Sequence, residues 1–309
     1  MSTDSEWCQK TCARGDIEQT LAHINSSDVT QNMDEVTRCR SLFDALNTLW
    51  TAHRKATHTL EASDSKAISE LLTTGIPELR REWLCKSAPV FQFATFKPQI
   101  LNHEVLRRSP KYRLDLPIPP DLAHKATEEH RQLARAMDRW MNTPSSETQT
   151  ALLKKLAQML YVVRSNIAHG EKTPYGPDLQ KAERDREVCA ATRPALEVLF
   201  EALLGFPASR LAVYGSLAPG QTNHAILAGI QGTWENGFAC GFLEQKDGLP
   251  SFRWKRGSGK VPVKLLTSPT LNKHWKRIDQ FEGKRYRRIL SPIDNAQGEV
   301  VVANIYEAR

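Results

Sequence analysis

The sequence predicts two domains, a helical bundle followed by a compact, β-rich α+β domain. Three observations lead to this fold class. The chain has 309 residues, more than the roughly 100–200 that one domain usually takes. Between residues 34 and 205, apolar residues recur at three- and four-residue steps, which is typical of helices. After residues 205–209 they form short aliphatic and aromatic runs instead, which is typical of strands.

Apolar residues with helical spacing cover most of the region before residue 205. The predicted helices lie at residues 33–60, 67–84, 121–141, 146–168 and 178–204, and Gly75 and Pro77 are expected to interrupt the second. Asp121 is expected to cap the third, Gly170 to end the fourth, and Pro194 to kink or restart the last. Residues 89–120 carry repeated prolines and are predicted to be extended or looped. Residues 1–33 are polar and are predicted to form a loosely held arm or a weak first helix, which assigns the bundle to residues 34–205.

The region after residue 209 contains the predicted strands. They lie at residues 210–214, 237–244, 261–266 and 299–306, and a short helix is predicted at 270–281. These elements predict an α+β domain over residues 210–309.

The composition is that of a globular protein and excludes several classes. Apolar residues make up 40% and charged residues 25%, and no stretch approaches the ~20 apolar residues that span a bilayer. The first residues contain neither a basic nor an apolar segment, so no secretory signal is expected. The cysteines are scattered and lack the neighbours of a zinc site. We therefore expect a cytoplasmic protein with free thiols, no membrane contact, no metal and no cofactor.

The formal net charge of +7 lies entirely in residues 210–309, because residues 1–209 contain equal numbers of basic and acidic side chains. This asymmetry indicates a C-terminal surface that attracts an anionic partner. The alternative is a basic face that only contacts solvent.

The first candidate site lies at the end of the helix at residues 146–168, where Arg164 and His169 are close in sequence. A histidine acts as general acid or base near neutral pH, and a guanidinium holds a phosphate at two points. This pair suits metal-independent RNA cleavage, in which the 2′-hydroxyl attacks the adjacent phosphate. The same side chains also stabilise a helix end through its dipole, so a structural role stays open.

The segment Arg164-Ser-Asn-Ile-Ala-His169 resembles the Arg and His motif of HEPN domains, over residues 34–205 and best over 160–204. HEPN domains are helical bundles that often dimerise, and many are endoribonucleases of toxin–antitoxin, CRISPR-associated and phage-defence systems. The resemblance implies that Arg164 and His169 are catalytic, supported by Ser165 and Asn166. It also implies RNA as substrate, a homodimer, and an antitoxin or trigger protein as partner. The chain departs from the family in having Ser165 directly after the arginine, where Asn is frequent.

The second candidate site combines two short motifs of the C-terminal region. Tyr214-Gly215-Ser216-Leu217 follows a predicted strand, and the backbone N–H groups of such a turn can hold a carboxylate or amide oxygen. Glu282 ends the predicted short helix and is followed by a glycine. By itself each motif is most often structural, either a turn or a solvated helix end.

Together these motifs resemble γ-glutamylcyclotransferases and the related AIG2-like γ-glutamylamine cyclotransferases. The match comprises Tyr-Gly-Ser-Leu, then Asp-x-Phe-Glu-Gly followed by Tyr286 and Arg288, and covers residues 210–309. The resemblance implies a barrel-like α+β fold in which Tyr214, Gly215, Ser216 and Leu217 bind the γ-glutamyl group. It implies that Glu282 is the base for the α-amine, which attacks the γ-carbonyl and yields 5-oxoproline.

Basic and aromatic residues alternate on both sides of Glu282, a composition typical of nucleic-acid surfaces. The candidate RNA contacts are Lys276, Arg277, Arg285, Arg287 and Arg288. A solvated basic face is the alternative.

Three functions follow from the sequence. The first is a metal-independent HEPN endoribonuclease, a toxin or defence effector whose C-terminal domain regulates it, recruits RNA or has a second activity. The second is a γ-glutamyl (amine) cyclotransferase with a helical dimerisation domain. The third is a binding protein in which both motifs are structural. Because a cyclotransferase needs no ribonuclease-like bundle, the sequence favours the first.

Overall fold

The computed structural model of the protein describes residues 12–28, 33–113, 116–169, 179–246 and 249–309. The chain divides into two compact units. The helical unit is Ser26–Ala202, and the barrel unit combines the described part of Met1–Asn25 with Leu203–Arg309. Within the described residues, no helix is long and apolar enough to cross a membrane.

The helical unit is built from amphipathic helices. They are α2 (Glu35–Ala56), α3 (Asp64–Thr73), α4 (Glu78–Lys86), α5 (Ala88–Thr95), α6 (His103–Arg107), α7 (Pro120–Ala126), α8 (Glu128–Asn142), α9 (Ser146–Ala168) and α10 (Leu179–Leu203). Helix α9 has the bounds that apolar spacing predicts, and a capping box between Ser145 and Thr148 begins it. Its apolar face is buried, so it forms the centre of this unit.

Two predictions for the helical unit are wrong. The proline-rich residues 89–120 contain helices α5 and α6, because Pro89 occupies the first turn of α5, where a missing N–H costs no helical hydrogen bond. The helix predicted to run from Asp121 to Met141 is divided into α7 and α8, and Asp121 lies inside the first turn of α7 instead of capping it. Helix α10 continues through Pro194. Gly170 lies outside the described residues.

The barrel unit contains most of helix α1 (Arg14–Asp28), six strands within the described residues, and helix α11. The strands are β1 (Arg210–Val213), β2 (Thr233–Lys246), β3 (Leu249–Trp254), β4 (Lys260–Thr267), β5 (Tyr286–Asn295) and β6 (Val300–Ala308). Helix α11 is Trp275–Glu282. The strand order is β3-β2-β4-β1-β6-β5, and a further pairing of β2 with β5 closes five strands into a barrel. Strands β1 and β6 are parallel, and the other pairs are antiparallel.

The barrel-like α+β fold is therefore confirmed, but strands β3 and β5 were not predicted. Strand β5 begins with Tyr286-Arg-Arg288, where basic residues obscure the alternation of apolar residues. In the barrel these charges have partners, since Arg287 is directly opposite Glu307 on β6.

Two apolar clusters lie on opposite sides of the β1 backbone. Ala212 belongs to a cluster with Phe252, Leu265 and Ile305. Its neighbours Leu211 and Val213 belong to a second cluster, which includes Trp275 and Ile278 of α11. This alternation follows from the two-residue period of a strand. The second cluster therefore packs α11 against β1.

Of the two alternatives predicted for residues 1–33, a loosely held arm or a first helix, the described part agrees with the helix, and α1 packs within the barrel unit. Ile17 and Leu21 are buried. The Asn25 side chain accepts a hydrogen bond from the Leu290 N–H (2.9 Å) and donates one to the Leu290 carbonyl (2.8 Å). Arg14 forms an ion pair with Asp294. Polar residues at both ends of the helix thus attach it to β5.

Candidate active site

The loop after β1 forms one wall of the candidate site. Hydrogen bonds within the loop shape it, since the Asn223 N–H donates to the Ser216 carbonyl (2.9 Å) and the Asn223 amide donates to Ser216 Oγ (2.9 Å). The Gly215 carbonyl accepts from the Ala218 N–H (3.0 Å). The backbone N–H groups of Gly215, Ser216 and Leu217 donate to no other described residue. These donors are therefore available to an acceptor in the cavity beside them.

Helix α11 positions Glu282 opposite this loop. Trp275 and Ile278 bury one face of the helix. Glu282 is four residues after Ile278 and so lies on that same face. Gly283 ends the helix with a φ of 63°, a conformation that glycine adopts without strain.

The loop and Glu282 line one cavity of about 300 Å³. The predicted residues Tyr214, Gly215, Ser216, Leu217 and Glu282 all contribute to it. The structure thus brings together two motifs that are far apart in the sequence.

The Glu282 carboxylate is poised to exchange a proton. Burial raises its pKa to about 7, and the negative charge of Asp279 adds to the rise. No hydrogen bond or ion pair holds this carboxylate within the described residues. Asp279, in contrast, accepts hydrogen bonds from the Tyr306 hydroxyl (2.6 Å) and from Arg288 Nε (3.0 Å). Glu282 is therefore the carboxylate in the cavity that is free to act as a base.

Three tyrosines, Tyr214, Tyr286 and Tyr306, also line the cavity. Burial raises the pKa of Tyr214, whose ring packs on Phe252. Burial, together with the hydrogen bond to Asp279, raises the pKa of Tyr306. Tyr306 was not predicted from the sequence. Strands β1 and β6 are parallel neighbours, so their C-terminal ends meet at one edge of the sheet and bring Tyr306 near Tyr214. Only knowledge of the strand order would have placed Tyr306 at this site.

The five candidate RNA contacts differ in their surroundings. Arg287 forms an ion pair with Glu307 (2.6 Å). Arg288 forms an ion pair with Asp279 and stacks on the Trp275 ring at 4.4 Å.

The other three candidates have no ion pair among the described residues. Arg277 donates a hydrogen bond to the Ile226 carbonyl (2.8 Å). Lys276 and Arg285 are exposed, and Arg285 lines the cavity. Hence Arg287 and Arg288 have structural partners, and the RNA contacts stay a prediction.

The candidate residues of the helical unit are placed near the end of α9. Asn166 is 1% exposed, and its side chain accepts from the His103 N–H (3.2 Å) and donates to the Leu101 carbonyl (2.8 Å). Ser165 is also buried. The burial of both side chains and the hydrogen bonds of Asn166 are consistent with a structural role that needs no catalysis.

Arg164 and His169 are closer to solvent. Arg164 lies 3.6 Å from Asp64, over the Trp50 ring, and lines a surface hollow with Arg40. His169 caps α9 and is exposed. Their catalytic role stays a prediction. In the part of the chain that is described, no group of His, Cys, Asp and Glu side chains is arranged to hold a metal ion.

Comparisons with known proteins concern the barrel unit. Residues 211–309 match the family model described as "Gamma-glutamyl cyclotransferase, AIG2-like". A search of curated proteins found no match. Similar solved structures include an uncharacterized protein from Pyrococcus horikoshii, with 26% identity over 32% of this chain and 76% of the other, and a TM-score of 0.26.

Two further structures are similar over a comparable share of the chain. YkqA from Bacillus subtilis is 24% identical over 33% of this chain and 36% of its own, with a TM-score of 0.28. An AIG2-like protein from Mus musculus is 18% identical over 32% of this chain and 76% of its own, with a TM-score of 0.28. None of these matches supports a HEPN domain. Residues 211–309 are thus an AIG2-like γ-glutamyl cyclotransferase domain.

Proposed function

We propose that the barrel unit converts γ-glutamyl amides into 5-oxoproline and a free amine. One observation carries this proposal: Glu282, with its raised pKa, and the 214–217 loop line the same cavity. The family match of residues 211–309 supports it independently.

Substrate binding uses the unoccupied backbone donors of the loop. The N–H groups of Gly215, Ser216 and Leu217 bind an oxygen of the γ-glutamyl group, as backbone donors of such turns bind anions. A cavity of about 300 Å³ is at the lower end of the size range of small-molecule sites. It therefore suits a glutamyl group with a short leaving group.

The reaction needs one proton carrier. The Glu282 carboxylate takes a proton from the α-ammonium group, and the freed amine attacks the γ-carbonyl carbon, forming the ring C–N bond. Loop N–H groups stabilise the negative charge that develops on the carbonyl oxygen. The bond from the γ-carbon to the leaving nitrogen then breaks as Glu282 returns this proton to that nitrogen. The attacking nitrogen loses its second excess proton through Glu282 to the released amine, which leaves as an ammonium ion. A base with a pKa near the working pH accepts and returns a proton with little cost.

The direct test is release of 5-oxoproline from γ-glutamyl amides by the full chain. Glu282→Gln keeps the shape of the side chain but cannot take up the proton, so kcat should fall by about 10²–10⁴-fold. Glu235→Gln is the matched control, since Glu235 lies in the same unit and does not line the cavity. If Glu282→Gln retained full activity, the proposal would be wrong.

The second candidate function is metal-independent RNA cleavage by a homodimer of the helical unit. The observation in its favour is the hollow of about 310 Å³ that Arg40 and Arg164 line, near the end of the helix that His169 caps. The cellular RNA is expected to fragment when the wild type is expressed and to stay intact with His169→Ala. Intact RNA in both cases would contradict this function.

A further inference from the structure

Arg285 differs from the other arginines beside Glu282. Arg287 and Arg288 form ion pairs with Glu307 and Asp279. The Arg285 side chain has no hydrogen bond or ion pair with any described residue, and only its carbonyl has a partner, the Arg309 N–H (2.9 Å). Its guanidinium is therefore available to a ligand.

Arg285 also lies at a defined end of the cavity. It is exposed, as is Phe281, and both line the cavity. Leu217 and Tyr306 line it as well and are buried. Ser216 of the loop is exposed as well, so the cavity has buried walls at Leu217 and Tyr306 and an open rim that includes Arg285.

Few of the residues that line the cavity carry a charged side chain. Among the described residues that line it, Glu282 is the one with a carboxyl group and Arg285 the one with a basic side chain. Glu282 is needed for the proton transfer in the proposed reaction. Arg285 is then the group at the rim that can attract a negative charge. In the proposed reaction the loop N–H groups and Glu282 hold the γ-glutamyl part, which leaves the rim to the leaving group. A guanidinium recognises a carboxylate through two parallel N–H···O bonds.

We propose that Arg285 determines substrate specificity by binding a carboxylate on the leaving amine, so that γ-glutamyl amino acids are preferred over γ-glutamyl alkylamines. This inference rests on the proposed cyclotransferase function. Arg285 acts on the part of the substrate that is released and takes no part in proton transfer.

The test compares two substrates that differ in the leaving group, γ-glutamylglycine and γ-glutamylethylamide. With Arg285→Gln, kcat/KM for γ-glutamylglycine should fall about tenfold, as expected for the loss of one charge-assisted contact. The value for γ-glutamylethylamide should stay the same. Arg285→Lys should retain part of the preference. Lys284→Gln is the matched control, because it removes the same charge one residue away and Lys284 does not line the cavity.

The outcomes separate this inference from the proposed function. An equal fall for both substrates, or no fall for either, would overturn the specificity role while leaving the cyclotransferase function intact. If the wild type turned over neither compound, the cyclotransferase function would fail. Calorimetric binding to the Glu282→Gln chain would then decide the inference. Weaker binding of γ-glutamylglycine alone after Arg285→Gln would support it, and any other result would overturn it.

Discussion

At the scale of single residues, acidic side chains of the barrel unit differ in whether they form an ion pair. Asp279, Asp294 and Glu307 each have a basic partner. Glu282 has none among the described residues and is partly buried, so its pKa rises to about 7. The proposed base thus has no ion-pair partner among the described residues and lies in the cavity.

The raised pKa predicts the pH dependence of the proposed reaction. Below pH 7 Glu282 is protonated and cannot accept the proton of the substrate, so kcat/KM should fall as the pH decreases through about 7. Asp279→Asn removes the neighbouring negative charge, which lowers the pKa of Glu282 and shifts the acidic limb to lower pH. Initial rates of 5-oxoproline release between pH 5 and 9 measure the acidic limb of the wild type and its shift in Asp279→Asn. An acidic limb near the ordinary glutamate pKa in the wild type would contradict this assignment.

At the scale of elements, cross-strand ion pairs explain why basic residues occur in β5. Glu307 of β6 accepts hydrogen bonds from Arg287 Nε (2.9 Å) and from the Trp254 N–H of β3 (2.9 Å). One carboxylate therefore connects three strands next to the cavity. This structural role accounts for a charge pattern that, in the sequence, suggests a nucleic-acid surface.

Glu307→Gln should destabilise the barrel unit. The Glu307 side chain is 7% exposed and Arg287 is 31% exposed, so loss of the charge leaves a guanidinium without its partner at a cost of about 2 kcal/mol. Glu244→Gln is the matched control: Glu244 also pairs across strands, with Arg253, but its side chain is 40% exposed. Its loss should cost about 0–1 kcal/mol. Urea unfolding of both variants measures the difference, and equal destabilisation would contradict the role given to Glu307.

At the scale of the whole molecule, the units do not follow the order of the chain. Helix α1 comes first in the sequence, yet it belongs to the same compact unit as the C-terminal barrel. Asn25 pairs with both backbone groups of Leu290, and Glu18 forms an ion pair with Arg256 at 3.1 Å. The polar character of this helix reflects these contacts with the barrel.

Removal of the Asn25 side chain should loosen β5. Asn25→Ala leaves the N–H and carbonyl of Leu290 without their partner, at a cost of about 1–3 kcal/mol. Hydrogen exchange at the Leu290 amide should accelerate accordingly. Gln19→Ala is the control on the same helix, because the Gln19 side chain is exposed and, among the described residues, its hydrogen-bond partner is His23 on the same helix. Unchanged protection of Leu290 in Asn25→Ala would show that α1 does not stabilise the strand.

Much of the fold could be predicted from local patterns. Apolar spacing gave α9 with its observed bounds and gave the order of a helical region followed by strands. It missed α5 because a proline in the first turn is compatible with a helix. It missed β5 because the charges at the start of that strand are neutralised by a partner strand that local spacing does not show. The HEPN interpretation of Arg164 and His169 is untested by the fold.

By itself, the sequence determined the two kinds of secondary structure, because apolar spacing is a local property. Its resemblance to γ-glutamylcyclotransferases assigned the Tyr214–Leu217 loop and Glu282 to one predicted site. Only the tertiary structure decided that these motifs share a cavity, that Tyr306 and Arg285 line it, and that Glu282 is unpaired while Arg287 and Arg288 are paired. It also decided that α1 belongs to the barrel unit. The physical reason is that closure of the barrel and burial of a carboxylate depend on contacts between residues that are far apart in the chain.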